Sequence, residues 1–227
     1  CSRVIVHRCC CGFQPDWQNV DMPITPGSPW GTTSPIPERA HDLSSDRELG
    51  LFLRENSAQQ IQAMSLFMKS GDITRSLGVN RTSNDTECLR VVIDALSVSY
   101  IDTQGVERSD VCIGSLSIAR RFLRGAVSVV TNSGYWRGHE VAPRAHLNDG
   151  KLDIFEVSGA MRWGQRRMMW QKTNLGTHLP HPLLKYSQGD FFHWEGSPQR
   201  LTIDGKFVAM TTKVSCRVQS DCVQVYA

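Results

Sequence analysis

Apolar residues recur along this chain at two different spacings. From residue 126 onward the spacing is mainly two, and six segments read as strands: Ala126 to Thr131, Leu152 to Ser158, Phe191 to Trp194, Arg200 to Ile203, Lys213 to Val218 and Cys222 to Tyr226. Asp204-Gly205 between two of them signals a tight hairpin, whose central residues take positive φ. One helix interrupts the run, from Met161 to about Leu175. Upstream the spacing is three and four. Leu49, Phe52, Leu53, Ile61, Met64, Leu66 and Phe67 predict one or two helices between Asp46 and Met68, and Leu89, Val92, Ile93 and Leu96 predict a short amphipathic helix over Glu87 to Leu96. Ser97 to Val106 predicts a strand, and Gly114 to Leu123 returns to a helical pattern. Arg3 to His7 has the β-branched content of a short strand. Between residues 12 and 46, Pro15, Pro23, Pro26, Pro29, Pro35 and Pro37 predict loop or disorder, because proline removes ladder donors and fixes φ. There is no internal repeat.

Composition narrows the class. With 227 residues, 40% hydrophobic and 21% charged, the chain is globular and long enough for one large or two small domains. A net charge of +3 permits contact with anionic lipid or phosphate but lacks the strongly basic face of a nucleic-acid binder. Apolar runs such as Ala126 to Val130 fall far below the ~20 residues of a bilayer span. The eight cysteines include the contiguous Cys9, Cys10 and Cys11, which a disulfide scaffold would space apart, so free thiols in a reducing cytoplasm are expected. No Cys-x-x-Cys pair argues for zinc. The start at Cys1 leads to the expectation of a fragment.

Several residues invite chemistry, each beside a plainer reading. Asn148, Asp149 and Gly150 suit a turn between strands, and equally a site for a hard cation such as Mg²⁺, which takes carboxylate and carbonyl oxygens. Asp72 has the position of a helix cap, and Asp102 that of a turn residue before Gly105. Arg120, Arg121 and Arg124 form either a solvated face or a phosphate contact. The Met161 helix interleaves Arg162, Arg166 and Arg167 with Trp163, Met168, Met169 and Trp170, which suits an ordinary amphipathic helix or a surface meeting anionic lipid. His178 and His181, bounded by Pro180 and Pro182, read as loop residues with backbone hydrogen bonds rather than as metal ligands or bases.

The stretch TNSGYWRGHEVAPRAHLNDGKLDIFEV, from Thr131 to Val157, carries Asn132, Gly134, Gly138, Ala142, Pro143, Ala145, Asn148, Asp149, Gly150, Leu152 and Asp153 in a recognisable order. It resembles the bacterial diacylglycerol kinase and lipid kinase family, in which Asn-Gly, a Gly-rich turn, Ala-Pro-x-Ala and Asp-Asp-Gly-x-Leu-Asp follow one another. GTHLPHPLL, from Gly176 to Leu184, looks like the actinobacterial branch. RLTIDGKFVAM resembles the strand bearing Asp-Gly-Glu, and SGDITRSLGV, from Ser70 to Val79, the Asn-Asp-x-Ala-Arg-x-Leu-Gly stretch. CLRVVIDALSVSYIDTQGVE resembles the family's helix and following strand with an Ile-Asp pair. The likeness covers residues 70 to 227.

The resemblance implies an α+β, two-domain fold of the NAD kinase/diacylglycerol kinase kind. A truncated α/β nucleotide domain would occupy residues 1–96 and an antiparallel β-sandwich lipid-binding domain residues 97–227. It implies ATP and Mg²⁺, a lipid acceptor at the inner face of a membrane, and a homodimer as one option. The family's Gly-Gly-Asp-Gly-Thr phosphate cradle and Asn-Pro-x-x-Gly loop have no match. Asp72 corresponds to a nucleotide contact and Asp102 to the catalytic aspartate of the Ile-Asp pair. Asp149 corresponds to a structural Mg²⁺ ligand, with backbone carbonyls at His146 and Lys151. Lys206 stands where the family has its Glu general base, and a charged ammonium cannot accept a proton. Asp204 and Glu195 are the neighbouring acids. Three readings follow: a lipid kinase, a noncatalytic lipid- or metal-binding remnant, and a kinase of a small molecule such as a nicotinamide dinucleotide.

Overall fold

A computed structural model describes residues 30–79, 86–121, 124–174 and 176–227. The Arg3 to His7 strand, the cysteines up to Cys11, the first prolines of the 12–46 segment, and Leu123 and Leu175 lie outside the described residues. So do the side chains of Arg121 and Arg124.

The chain is an antiparallel, sheet-dominated sandwich carrying four short helices among the described residues. Strands β1 (Thr32–Pro35) and β2 (Ala40–Leu43) lead to helices α1 (Asp46–Glu55) and α2 (Ala58–Gln62), then to β3 (Ser65–Met68) and α3 (Asp72–Ser76). Next come β4 (Glu87–Asp102), β5 (Glu107–Cys112), β6 (Ser115–Arg121), β7 (Arg124–Thr131), the short ribbon β8 (Tyr135–Trp136) and β9 (His139–Glu140), and β10 (Leu152–Val157). Helix α4 (Trp163–Thr173) precedes β11 (Leu184–Gly189), β12 (Phe191–Ile203) and β13 (Lys206–Tyr226). The main sheet runs β1-β4-β13-β12-β6-β7-β10-β11, with β5 on β4, β3 on β13 and β2 on β3. Among the described residues, only β2–β3 and β3–β13 pair in parallel. The first of these needs a crossover, which α1 and α2 supply.

The segment Glu87 to Leu96 is strand, not the amphipathic helix its spacing suggests. Val91, Ile93 and Ala95 alternate into one core, with Leu43, Leu49 and Leu66, whereas Leu96, Val98 and Tyr100 alternate into a second, with Leu116 and Leu201. The side chains alternate without interruption, but the covered face of β4 changes between Ala95 and Leu96, so the sequence of buried positions contains a one-residue step that imitates a period of three and four. β13 carries a register shift between Gln219 and Val223, opposite Asp94, with Asp221 at φ 51°. The Gly114 to Leu123 helix is likewise corrected to strand β6. Leu116 and Ile118 fill one face and the buried Ser115 and Ser117 the other, the period-two alternation of a strand.

Two further expectations change. The described part of the proline-rich segment contains β1 and β2, and Pro35 is tolerated because β1 is an edge. The last residues of Asp46 to Met68 form β3 rather than helix. By contrast, the Asp204-Gly205 hairpin and the α4 helix stand where the sequence put them, Asp204 at φ 45° and Gly205 at φ 77°. Cys88, Cys112, Cys216 and Cys222 are free, and burial holds the Cys112, Cys216 and Cys222 thiols protonated. No helix among the described residues is long and apolar enough to cross a membrane.

Candidate functional site

The C-terminal ends of β2 and β3 lie side by side, so the loops that follow them meet. This is where parallel strands present ligand-contacting loops. After β2, Ser45 caps α1: its Oγ accepts the Glu48 N–H at 3.3 Å, while the Glu48 carboxylate accepts the Ser44 N–H at 2.6 Å. That reciprocal cap fixes Asp46 in the first turn, 7% exposed. Arg47 makes a two-pronged contact with Asp110 at 3.1 and 2.8 Å, tying α1 to β5. The Asp46 carboxylate crosses to the loop after β3, where it accepts the Asp72 N–H at 2.7 Å and more weakly the Ile73 N–H at 3.4 Å.

A second carboxylate joins the first from the far end of the chain. Asp204, at the β12–β13 turn, accepts the N–H groups of Ile113, Gly114 and Ser115 at 3.1, 2.8 and 3.0 Å, and the Cys112 thiol at 3.5 Å. Its turn backbone meets solvent while its carboxylate is enclosed. Both acids flank Gly114, where a methyl group would lie 2.8 Å from Asp46 Oδ2 and 3.4 Å from Asp204 Oδ1. Burial, then repulsion from Asp204, pushes Asp46 up to about 8. Burial also raises Asp204, against the pull of its three N–H donors. Of such a pair, the carboxylate with more donors stays ionised and the other holds the proton.

The raised acid sets a pH dependence. An unfolded aspartate loses its proton near pH ~4. Folded Asp46 keeps it to about pH 8, so between the two the folded state holds the extra proton and stability falls as pH rises. The contribution is complete below the lower value and lost above the upper. Asp46→Asn, which cannot ionise, will flatten the fall in urea-measured stability between about pH 5 and pH 8. An unchanged slope would place the proton elsewhere.

Asp72 belongs to the same loops. Its Oδ1 accepts the Gly138 N–H at 3.0 Å, which ties α3 to the turn of the β8–β9 ribbon, and burial raises it against that bond and Arg75. The ribbon separates two cavities. Tyr135 lines a polar one of about 480 Å³ with Lys69, Ser70, Gly71, Thr74 and Arg75. Trp136 lines an apolar one of about 370 Å³ with Val127, Val157, Trp163, Met169 and Trp170. The first offers cations and hydroxyls, a donor set that fits the phosphates of ATP. On the other side of Gly114, its carbonyl accepts from Asn132 N at 3.0 Å and Thr131 Oγ1 at 3.0 Å, which brings the Thr131 stretch against the acids.

The Asn148-Asp149-Gly150 corner is a separate place. Buried Asp94 accepts the N–H groups of Gly150 and Asp221, each at 2.8 Å, and Asn148 Nδ2 bridges the Val92 carbonyl and Asp221 Oδ1 at 2.8 and 2.9 Å. Burial, with Asp221 and Asp149 adding repulsion, pushes Asp94 up to about 6. Asp153, also raised by burial, takes hydrogen bonds from Tyr186 and Gln188. Asp149 Oδ1 accepts the Lys151 N–H at 3.0 Å, and His146 Nδ1 accepts the Asn148 N–H at 3.2 Å with its ring against Trp30. No group of three His, Cys, Asp or Glu side chains forms a ligand cage among the described residues. One half-exposed carboxylate amid further acids is a donor set that suits a largely hydrated Mg²⁺, which Asp149 would hold with the backbone oxygens of His146 and Lys151 as its expected partners. Mg²⁺ at tenfold excess over its Kd will then stabilise the chain by about 1.4 kcal/mol. Asp149→Ala will lose that shift in a thermal melt; an equal shift in both proteins would remove Asp149 from the site.

Other expected residues lie apart. Asp102 sits at the β4–β5 hairpin tip, six residues along β4 from the Leu96–Cys112 pairing, about 20 Å from the acids at strand rise. Its carboxylate is taken by Arg108 Nε and the N–H groups of Gln104 and Val106, and the Arg108 bond first, then Val106, lowers its pKa. Lys206 is exposed on the solvent side of the β12–β13 turn whose inner side is Asp204. Glu195 is exposed beside His193 and Lys213. His178 is buried, Nε2 at 2.9 Å from the Val141 carbonyl, and His181 Nδ1 accepts the Leu183 N–H, the loop roles expected of them. Asp46 was missed, although Ser45-x-x-Glu48 before Leu49 is a helix-start signature that could have marked it.

Three solved structures from Bacillus anthracis str. Sterne share this fold, one described as a diacylglycerol kinase and two bearing that name as an assignment. Their identities are 14, 12 and 13%, with TM-scores of 0.50, 0.52 and 0.51. Each covers 71% of this chain, and the match spans 68, 69 and 69% of theirs. No curated protein sequence matches the chain. Residues 79–227 match the profile of the YegS C-terminal NAD kinase beta sandwich-like domain. That span begins just after α3 and includes Asp94, Asp149 and Asp204, and the chain belongs to this YegS C-terminal domain family.

Proposed function

We propose that the chain is a lipid kinase of the actinobacterial branch, acting at the inner membrane face on the hydroxyl of a diacylglycerol-like acceptor. ATP with Mg²⁺ supplies the phosphoryl group when bound. The observation that carries the reading is the pair of cavities across the β8–β9 ribbon, one polar and cationic, one apolar. Lys69 and Arg75 hold phosphate charge on one side. Trp136, Val127 and Val157 shelter acyl carbons on the other. Asp46, behind Gly71 on the polar wall, takes the hydroxyl proton in its ionised form, which is populated as pH approaches about 8, whereas Lys206 in its charged form cannot. An acid titrating near neutrality is suited to that transfer, and its rate effect is of order 10²-fold or more.

The test is transfer of labelled phosphate from ATP to diacylglycerol with Mg²⁺ present. Wild type is expected to label the lipid, and Asp46→Asn to lose at least about a hundredfold. An unlabelled lipid with a folded chain overturns the reading. One observation favours the noncatalytic alternative: the N–H groups of Asp72, Ile113, Gly114 and Ser115, which could face phosphate, are already taken by carboxylates. ATP that fails to raise the thermal midpoint would select that alternative, since a ligand of the native state must stabilise it.

A further inference from the structure

Helix α4 is packed the wrong way round for a soluble surface. Arg166 is buried at 4% exposure, while Trp163 and Met168 are each 58% exposed. The arginine is not idle, since its guanidinium donates to the carbonyls of Met161, Gly125 and Ser158 at 3.0, 2.5 and 2.9 Å. Those bonds clamp the start of α4 to the loop before it and to the start of β7. At 3.6 residues per turn, Trp163, Arg167 and Met168 fall within an arc of roughly 140° that faces away from buried Arg166, Met169 and Thr173. The helix is thus held rigidly with apolar side chains outward.

Its charge is one-sided. Arg162, Arg167 and Lys172 are exposed, the helix holds no acid, and none of the three makes an ion pair among the described residues. Lys172 in the last turn suits the helix dipole, but Arg162, the N-cap residue, places a cation at the positive end and opposes it, so folding alone does not explain that cation. The Arg167 guanidinium lies 5.9 Å from the Trp163 ring, which pairs the charge with the aromatic. Cations around an exposed tryptophan and a flexible methionine match an interface that is anionic at its surface and apolar just beneath. The apolar cavity opens beside the same helix.

We infer that the outer arc of α4 docks the chain on an anionic lipid bilayer, Trp163 and Met168 entering the acyl boundary while Arg162, Arg167 and Lys172 meet phosphate head groups. Docking of this kind requires no phosphoryl transfer. It goes beyond the kinase reading and gives that site its approach to the membrane.

Flotation with vesicles of phosphatidylcholine, with and without phosphatidylglycerol, tests it. Wild type is expected to float with the anionic vesicles and to be released by salt. Gln at Arg162, Arg167 and Lys172 together will weaken binding about tenfold or more, because each cation near such a surface contributes. Trp163→Ser with Met168→Ser will weaken it as well. Gln at Arg200, Lys206 and Lys213, which removes equal charge from the β12–β13 hairpin, will change it little. Brominated acyl chains will quench fluorescence in wild type, and less in Trp163→Phe. Circular dichroism confirms that each variant is folded. Absence of anionic vesicle binding, or loss confined to the hairpin variant, overturns the inference. Vesicle binding by a chain that labels no lipid overturns the kinase reading alone, and labelling of detergent-dispersed lipid by a chain that ignores vesicles overturns this one alone.

Discussion

Asp204→Ala will destabilise the chain by about 3 kcal/mol or more in urea titration, because three N–H groups lose a charged acceptor and have no water to replace it. Ile113, Gly114 and Ser115 all turn their N–H groups toward the Asp204 carboxylate, and Asp204 N–H in turn donates to the Ser115 carbonyl at 2.8 Å. The substitution therefore loosens the join between the β12–β13 turn and the β5–β6 turn, on which α1 rests through Gly50. Asp204→Asn keeps one acceptor oxygen and will cost less, about 1 to 2 kcal/mol. Lipid labelling should fall with both variants even at temperatures where they remain folded. A loss under about 1 kcal/mol for Asp204→Ala would mean that water already serves those donors.

Gly71→Ala will be of similar size, about 4 kcal/mol, and for a different reason. Gly71 has φ 142°, a conformation that costs other residues about 1 to 3 kcal/mol, and a methyl there would sit 2.1 Å from Asp46 Oδ1. The steric part depends on Asp46 and the backbone part does not. Combining Gly71→Ala with Asp46→Ala should consequently return about 1 to 3 kcal/mol relative to the sum of the single changes. Simple additivity would show that the loop after β3 moves away rather than meeting the carboxylate.

These two positions mark the limit of what the sequence discloses. Strands from residue 126 onward are legible because apolar residues recur at alternate positions and β-branched or aromatic residues are frequent, as in β12, where Phe192, Trp194, Leu201 and Ile203 pack into one core. The same rule hides β4, whose buried side chains change core at Ala95–Leu96, whereas β6 alternates visibly as Ser115-Leu116-Ser117-Ile118 and is legible as a strand. The Asn148-Asp149-Gly150 corner is legible because turn, carboxylate and carbonyls are consecutive. Asp46 and Asp204 are not, since only the pairing of β2 with β3 and the closure of β12 on β6 bring them to Gly114. Lys206 drew attention by occupying a family position, yet its side chain is exposed, and the group of this turn that reaches the buried N–H donors is the Asp204 carboxylate.

The two longest strands have a consequence for how the chain is made. Val223, Val225 and Ala227 complete the core that begins with Leu43, Leu49 and Leu66, and Ala227 exchanges hydrogen bonds with Leu89 at 2.8 and 2.9 Å. Helices α1 and α2 leave the ribosome long before β13 and must wait, with β3 unpaired along one edge, until it has been translated. Contacts between such distant parts of the sequence slow folding and lengthen the time an open strand edge is exposed. Translation speed and chaperone supply, more than intrinsic helix formation, will set the yield of the native protein.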